Sequence, residues 1–247
     1  MPHFFPPLAD PSRLPRHAVV FAPHPDDEVL GCGGLVAFHA ARGDDPAIVY
    51  LSDGAAGDPT GATRDLASIR RDEARAAMSV LGVRRLIFYG FPDGRLDETH
   101  ELSGAILATL EHANAEIIYI PSLLECHADH LAAAEAATLA AAARPNLKIM
   151  IYGVNTAVPA NELYDISQYR ELKDRALECY KSQVAFKNLV KMSRAMDSVR
   201  TINIPDSAGI TDCESYLSMT GADLRDHAAR IRGVQQLLFP RAAGESA

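Results

Sequence analysis

Short apolar runs alternate with longer amphipathic segments along most of the chain. Each run is nearly continuous and rich in β-branched residues, which is typical of strands buried on both faces of a parallel sheet. The segments between the runs space their apolar residues three and four positions apart, which predicts helices. This alternation predicts a Rossmann-like α/β fold, with helices on both faces and a strand order of about 3-2-1-4-5. The five predicted strands are residues 17–23, 47–52, 85–90, 116–121 and 148–153.

The alternation changes after about residue 155, where we predict a C-terminal α/β extension of the same domain. Residues 155–170 are a polar stretch too long for an ordinary connection, and we interpret them as a candidate lid. One or two amphipathic helices are predicted over 171–196, a late strand over 198–206 and terminal helical structure over 213–238. The expected organisation is a loose, proline-rich arm over 1–16, a single domain over 17–239 and a tail over 240–247.

The composition is that of a globular protein with an excess of acidic residues. The chain has 247 residues, with 24 Lys+Arg against 32 Asp+Glu and a formal net charge of −8. This balance disfavours nucleic acid as a partner, and no apolar run reaches the roughly 20 residues of a membrane span. The chain begins without a basic-then-apolar signal pattern, so we expect a cytoplasmic protein. The cysteines lack CxxC spacing, which favours reduced thiols; they are Cys32, Cys126, Cys179 and Cys213.

Two clusters of histidines and carboxylates follow the first and fourth predicted strands. The first is the motif over residues 24–28, His-Pro-Asp-Asp-Glu, and the second is the motif over 125–130, Glu-Cys-His-Ala-Asp-His. In the order 3-2-1-4-5 these two strands are neighbours, and the crevice between their carboxyl ends is where such sheets bind ligands. We therefore expect the two clusters to meet in one site.

This combination of side chains predicts a divalent-metal site. Imidazole nitrogens and carboxylate oxygens are ligands of zinc, and a catalytic zinc site uses three protein ligands and leaves one position open. His24, Asp27 and His130 make a plausible ligand set. Asp26 is then free to accept a proton from water, and His127, near His130 on the next helix, is placed to stabilise an oxyanion or protonate a leaving group.

Purely structural roles for the same residues stay open at this point. Asp26 or Asp27 could cap the helix that follows, because a carboxylate there accepts hydrogen bonds from free backbone N–H groups. Asp129 is predicted either to cap its helix or to orient a metal ligand. The joint placement of both clusters at one crevice favours the metal site.

The motifs resemble those of the LmbE-like, or PIG-L, family of zinc-dependent N-acetylglucosamine deacetylases, and the resemblance covers about residues 18–183. It implies Zn²⁺, with Fe²⁺ or another divalent metal as an alternative. His24, Asp27 and His130 correspond to the metal ligands of the family. Asp26 corresponds to its general base, and His127 to the histidine that assists the tetrahedral intermediate.

Three further segments resemble the family in the expected order along the chain. Arg70, in the segment Arg-Arg-Asp-Glu, corresponds to a residue that meets the substrate, and Asp93, in Phe-Pro-Asp-Gly, to one that holds sugar hydroxyls. Residues 173–183 resemble the C-terminal signature helix. Ordinary explanations also exist, since an Arg70–Glu73 pair could lie on a helix surface and Asp93 could belong to a simple turn.

The function predicted from these residues is removal of an acetyl group from an N-acetyl amino sugar, such as an N-acetylglucosaminyl conjugate, by metal-activated water. The predicted partner is thus a small N-acetylated sugar conjugate, whose aglycone the sequence leaves open. A homo-oligomer is also left open.

Three other functions are weighed against it. A nucleotide-cofactor oxidoreductase is suggested by Gly31, Gly33 and Gly34 after a strand, with Asp53 at the end of the next strand. However, Val36 stands where the third fingerprint glycine belongs, and the acidic residues 26–28 would repel a pyrophosphate. The other two are an iron oxygenase with a two-His-one-carboxylate site and a noncatalytic metal- or sugar-binding module.

Overall fold

The computed structural model describes residues 6–238 as a seven-stranded sheet with helices on both faces. The strands are β1 (Ala18–Ala22), β2 (Ala47–Ser52), β3 (Arg85–Phe91), β4 (Ile117–Pro121), β5 (Lys148–Tyr152), β6 (Glu162–Asp165) and β7 (Cys213–Thr220). The helices are α1 (Asp27–Arg42), α2 (Leu66–Leu81), α3 (Leu102–His112), α4 (Ala128–Ala142), α5 (Arg170–Leu177), α6 (Lys181–Val184), α7 (Leu189–Val199) and α8 (Gly221–Leu238).

The parallel part of the sheet confirms the predicted fold class. The sheet order is β3-β2-β1-β4-β5-β7-β6, and the first five strands pair in parallel in the expected order 3-2-1-4-5. Every residue of β1, β2 and β4 is buried, which explains why their sequences are continuous apolar runs. Strand β1 lies between β2 and β4, so its end and the end of β4 are neighbours, as the site prediction requires.

Alternate residues of the central strand enter two separate apolar cores. Ala18 and Val20 belong to the core that includes residues of α1, α2 and α5. Val19 and Phe21 belong to the core that includes residues of α3 and α4, with α8 packed on α4. Because both faces are filled in this way, the strand ends are fixed firmly enough to position the short loops that follow them.

The C-terminal extension differs from its prediction in four places. Residues 198–206 do not form a strand: α7 continues to Val199, turns follow, and Ile202 is 79% exposed. A strand lies instead at β7, within the segment predicted to be helical, and it pairs antiparallel with β5 and β6. The predicted lid contains β6 at the sheet edge. Residues 171–196, expected to form one or two helices, contribute to three.

Helix α1 contains a break that a distant strand repairs. Cys32 has a non-helical backbone (φ −149°, ψ 21°) inside the helix. Just after it, the N–H groups of Gly34 and Leu35 donate to the two carboxylate oxygens of Glu214 on β7, at 2.7 and 3.0 Å. Glu214 also accepts a hydrogen bond from the buried Lys173 at 2.8 Å. The second half of α1 is therefore capped by the C-terminal extension.

The described part of the N-terminal segment, residues 6–16, differs from the expected loose arm. The N–H of Leu163 donates to the carbonyl of Pro7, and the N–H of Ala9 donates to the carbonyl of Leu163. Leu14 is buried in the core. The expected tail over 240–247 lies outside the described residues. None of the helices between residues 6 and 238 combines the length and apolarity that a bilayer crossing requires.

Candidate functional site

The candidate site is a cavity of about 350 Å³ at the carboxyl ends of the parallel strands. Loops after β1, β2, β3 and β4 contribute to its lining, together with α2 and the α6–α7 region. The sheet order thus brings together residues that are more than 100 positions apart in the sequence. The predicted site residues that line it are His24, Asp26, Asp27, Arg70, Asp93, His127 and His130.

Three donor atoms form a nearly equilateral triangle at the base of this cavity. His24 Nδ1 lies 3.2 Å from Asp27 Oδ2 and 3.2 Å from His130 Nε2, and the last two atoms are also 3.2 Å apart. All three residues are buried. A tetrahedral metal with bonds of about 2.0–2.1 Å separates neighbouring ligand atoms by about 3.3 Å. The triangle therefore has the size and the donor chemistry of a three-ligand metal site.

The second ring nitrogen of His24 is held by carboxylates, which is the usual arrangement behind a metal-binding imidazole. His24 Nε2 lies 3.1 Å from Asp129 Oδ2 and 3.0 Å from Asp93 Oδ1. Burial opposes a charge on this ring, but the hydrogen bonds to Asp129, Asp27 and Asp93 raise its pKa well above 6.5. With Nε2 facing the carboxylates, Nδ1 is the ring nitrogen that faces the triangle.

A second set of close donor atoms, from His24, His127 and Asp129, is already satisfied within the protein. The oxygens of Asp129 accept the N–H groups of Gly94 at 2.7 Å and Leu96 at 3.0 Å. His127 Nδ1 accepts the N–H of Asp129 at 3.2 Å and caps α4. Asp129 therefore orients His24 and anchors the loop after β3, while the helix cap that was its alternative role belongs to His127.

Asp26 borders the triangle without being part of it. Its backbone has a positive φ of 123°, a strained value for a non-glycine residue, and its side chain makes no capping hydrogen bond to α1. The N–H of Asp26 donates to Glu28 Oε2 at 3.0 Å, and Arg70 Nη2 lies 3.4 Å from Asp26 Oδ2. Burial raises the pKa of Asp26 to about 7, although Arg70 acts in the opposite direction. The capping role considered for Asp26 is thus wrong.

Arg70 is buried and holds the loops around Asp26. Its Nη2 donates to the carbonyl of Pro25 at 2.5 Å, and its Nη1 donates to the carbonyl of Gly54 at 3.2 Å. The surface pair with Glu73 is not formed, because Glu73 instead accepts hydrogen bonds from the N–H and hydroxyl of Ser182. Arg70 therefore positions Asp26, and its lining of the cavity leaves a substrate contact as a prediction.

Asp93 has both carboxylate oxygens engaged within the protein. Oδ1 faces His24, and Oδ2 accepts the N–H of Ala56 at 2.9 Å. This connects the loop after β3 to the loop after β2 and to His24. Asp93 also lines the cavity, so a contact with sugar hydroxyls stays a prediction beside this positioning role.

His127 is exposed at the edge of the site, and its tautomer is fixed by α4. Because Nδ1 accepts the N–H of Asp129, the proton of the neutral ring resides on Nε2. Burial and the positive charge of His24 and His130 lower the pKa of His127. The cationic His127 considered from the sequence is therefore disfavoured, and the neutral ring offers an N–H donor instead.

Two buried glutamates support the site, and sequence reasoning gave them no role. Glu28 receives a very short hydrogen bond from the Tyr180 hydroxyl while it holds the Asp26 N–H, and burial raises its pKa to about 8. Glu125 accepts the N–H of Val154 at 2.6 Å and lies 3.8 Å from His130 Nδ1. Their positions inside the two motifs were the available signal, but Tyr180 and Val154, their partners, are distant in sequence.

The glycines after β1 have a packing role and do not form a dinucleotide site. A Cβ atom on Gly31 would lie 2.2 Å from the ring of Tyr152, and one on Gly34 would lie 2.4 Å from Ile166. Both positions therefore require glycine so that α1 can approach β5 and the segment after β6. This confirms the packing interpretation that was preferred over a nucleotide-cofactor oxidoreductase.

Comparison with known proteins agrees with the resemblance carried by the sequence motifs. The family described as PIG-L, GlcNAc-PI de-N-acetylase, matches residues 19–141. The chain is 31% identical over 189 residues to the probable N-acetyl-alpha-D-glucosaminyl L-malate deacetylase 2 of Bacillus anthracis, covering 70% of this chain and 83% of that protein.

Two solved structures share the fold. The N,N'-diacetylchitobiose deacetylase of Pyrococcus horikoshii superposes with a TM-score of 0.71 at 23% identity, covering 83% of this chain and 84% of that one. The 4-carboxy-2-hydroxymuconate hydratase of Pseudomonas putida superposes with a TM-score of 0.70 at 20% identity, covering 93% and 99%. Because one neighbour is a hydratase, the fold alone does not determine the reaction.

Proposed function

Because this chain belongs to the PIG-L family of de-N-acetylases, we propose that it hydrolyses the acetamide of an N-acetylglucosaminyl conjugate to acetate and a free amine. The observation that carries this proposal is the triangle formed by His24, Asp27 and His130, with Asp26 and His127 beside it in one cavity. A nucleotide-cofactor oxidoreductase gives the buried donor triangle no role, and a noncatalytic module gives none to the separate carboxylate of Asp26 beside it.

The triangle would hold one divalent ion, which we propose to be zinc, with iron as the alternative. Two imidazole nitrogens and one carboxylate oxygen are a ligand set of catalytic zinc. Such an ion, when bound, supplies Lewis-acid chemistry that lowers the pKa of water and polarises an acetyl carbonyl.

The remaining residues would divide the proton transfers. Asp26, held by Arg70 and by the hydrogen bond of its N–H to Glu28, accepts a proton from the attacking water. The Nε2–H of His127 donates a hydrogen bond to the oxyanion that forms as water adds to the carbonyl carbon. When the C–N bond breaks, the amine nitrogen takes up the proton that Asp26 accepted. Acetate and the amine are then the products.

The direct test measures metal content and acetate release on the same preparation. Purified protein supplied with zinc or iron is incubated with N-acetylglucosamine, its glycosides and diacetylchitobiose, with and without a chelator. We expect about one metal ion per chain and acetate release that the chelator abolishes. A metal-replete preparation that binds no metal would contradict the proposal at its base. A small sugar conjugate as the partner and a cytoplasmic location are part of the same proposal.

A further inference from the structure

The cavity has one wall whose chemistry the deacetylation reaction does not use. Its base and one side are polar, with the donor triangle, Asp26 and Asp93. The α6–α7 region lines the same space with Gln183 and Lys187 and, beyond them, with a cluster of four apolar side chains, Phe186, Leu189, Met192 and Met196. The hydroxyls of a sugar ring and the N–H and carbonyl of its acetamide need hydrogen-bonding partners. The apolar wall is therefore suited to a different part of a substrate.

The wall residues occupy one face of α7 and the turn before it. Leu189, Met192 and Met196 recur at three- and four-residue spacing, so they lie on one side of the helix. The adjacent face carries Ser193 and Asp197, which are buried against α5, and Asp197 accepts hydrogen bonds from both Arg170 and Lys173 at 2.7 Å. These ion pairs fix the rotation of α7, so the apolar face is directed into the cavity by the fold.

The apolar wall is incompletely covered by the protein itself. Phe186 is 49% exposed, and Met192 and Met196 are only half-buried. Clustered apolar side chains with this exposure, beside a polar reaction centre, mark a binding surface more often than isolated ones do. Methionine suits such a surface because its unbranched side chain adapts to the shape of an apolar ligand.

We propose that this wall binds an apolar aglycone, an alkyl chain attached at the anomeric carbon of the N-acetyl amino sugar. This inference rests on the proposed function and narrows its substrate class. The anomeric carbon is bonded to the carbon that bears the acetamide, so an aglycone leaves the ring close to the reacting amide. The ring hydroxyls are polar, and the anomeric position is where a conjugate adds an apolar group.

The test compares hexyl and methyl glycosides of N-acetylglucosamine, in both anomeric forms, on the metal-replete enzyme. Binding is measured by calorimetry and kcat/KM by acetate release. We expect the hexyl glycoside to be preferred by about tenfold or more in both measurements. The double variant Met192→Gln/Met196→Gln should reduce this preference toward one, and Phe186→Ser should reduce it partly. Thermal unfolding of each variant checks that it is folded.

Val184→Gln is the matched control, since Val184 is an exposed apolar residue of the neighbouring α6 that does not line the cavity. It should keep the full preference. Equal binding of the two glycosides would overturn the inference even if acetate is released. A preference for N-hexanoyl over N-acetyl sugars would also overturn it, by assigning the wall to the acyl group. Preferred binding of the hexyl glycoside without any acetate release would overturn the proposed function and leave the apolar site standing.

Discussion

Two adjacent aspartates in the first motif acquire different properties from their surroundings. Asp27 faces two imidazoles, and although burial opposes this, the charge of His130 and its hydrogen bonds lower the pKa of Asp27 well below its usual range. Asp26 faces Arg70 at a longer distance, and burial dominates, which raises its pKa. One carboxylate is thereby suited to hold a cation and the other to exchange a proton.

Replacing Asp26 by alanine should separate catalysis from metal binding. We expect Asp26→Ala to lower kcat by about 10²–10⁴-fold, because it removes a general base, while metal content stays at the wild-type level. His24→Ala and His130→Ala should lose both metal and activity. Activity is measured by acetate release and metal by elemental analysis. A near-wild-type rate for Asp26→Ala would show that another group takes the proton.

The donor residues and the supporting Asp129 could be predicted from the sequence, but the two supporting glutamates could not. His24, Asp26 and Asp27 are local in one motif, and the strand order alone brings His130 to them. Glu28 is different, because its role depends on a hydrogen bond to Tyr180, 152 residues away. Nothing in the spacing of the chain indicates that contact.

At the scale of elements, α6 is linked through the hydroxyl group of Tyr180 to the loop that carries Asp26. Tyr180 precedes α6 directly, and its hydroxyl donates to Glu28, which in turn holds the N–H of Asp26 in its strained conformation. A change at the start of a four-residue helix therefore reaches the proposed general base.

Tyr180→Phe should lower kcat by roughly 10–100-fold while KM changes little, since it misplaces Asp26 and touches no substrate. It should also lower the free energy of unfolding by about 1–3 kcal/mol, because the buried Glu28 loses its donor. Steady-state kinetics and chemical denaturation measure the two effects. Tyr169→Phe is the control, since the half-buried Tyr169 hydroxyl makes no hydrogen bond to any of the described residues. Equal losses in both variants would mean that Tyr180 acts through packing alone.

The elements that could be predicted are those whose environment is uniformly apolar. Strands β1, β2 and β4 are buried at every position, so their sequences show it directly. Strand β7 was missed because Glu214 and Ser215 are polar yet buried, with Glu214 neutralised by Lys173. Residues 201–205 include β-branched residues, but no strand in the described part of the chain pairs with them. Their backbone hydrogen bonds are made within turns.

At the scale of the whole molecule, stability should fall on the acidic side partly through His39. This ring is buried, with Nδ1 2.8 Å from Asp44, Nε2 2.8 Å from the Tyr119 hydroxyl, and Arg42 3.4 Å away. Burial lowers its pKa below 6.5. Between that lowered pKa and 6.5 the unfolded chain binds a proton that the folded chain does not. The contribution of His39 to the free energy of unfolding is therefore complete above about pH 6.5 and is lost as the pH falls.

The difference in unfolding free energy between the wild type and His39→Gln should accordingly shrink between pH 7.5 and 5.5. One titrating group can change the free energy of unfolding by at most about 1.4 kcal/mol per pH unit. Urea denaturation across this range measures it, with His112→Gln, at an exposed position on α3, as the control. A difference that does not vary with pH would show that His39 takes up its proton equally in both states.

The structural similarity to a hydratase shows that the sheet alone does not determine which reaction is catalysed. That neighbour shares nearly the whole fold at 20% identity, so the chemistry must reside in the loops at the strand ends. In this chain those loops are fixed by backbone contacts, with Arg70 on Pro25 and Gly54, and Asp129 on Gly94 and Leu96. The geometry of the site is thus a property of the loops as one connected unit.

The repair of α1 by Glu214 has a consequence for how the chain is synthesised. Helix α1, which begins at the proposed metal ligand Asp27, has its break covered by the carboxylate of Glu214, 180 residues after Gly34. A nascent chain released up to β5 holds all three donors of the triangle but leaves the amides of Gly34 and Leu35 uncapped. Closure of so long a loop is a late event in folding. The helix behind the candidate site is therefore completed only after β7 has been synthesised and has left the ribosome.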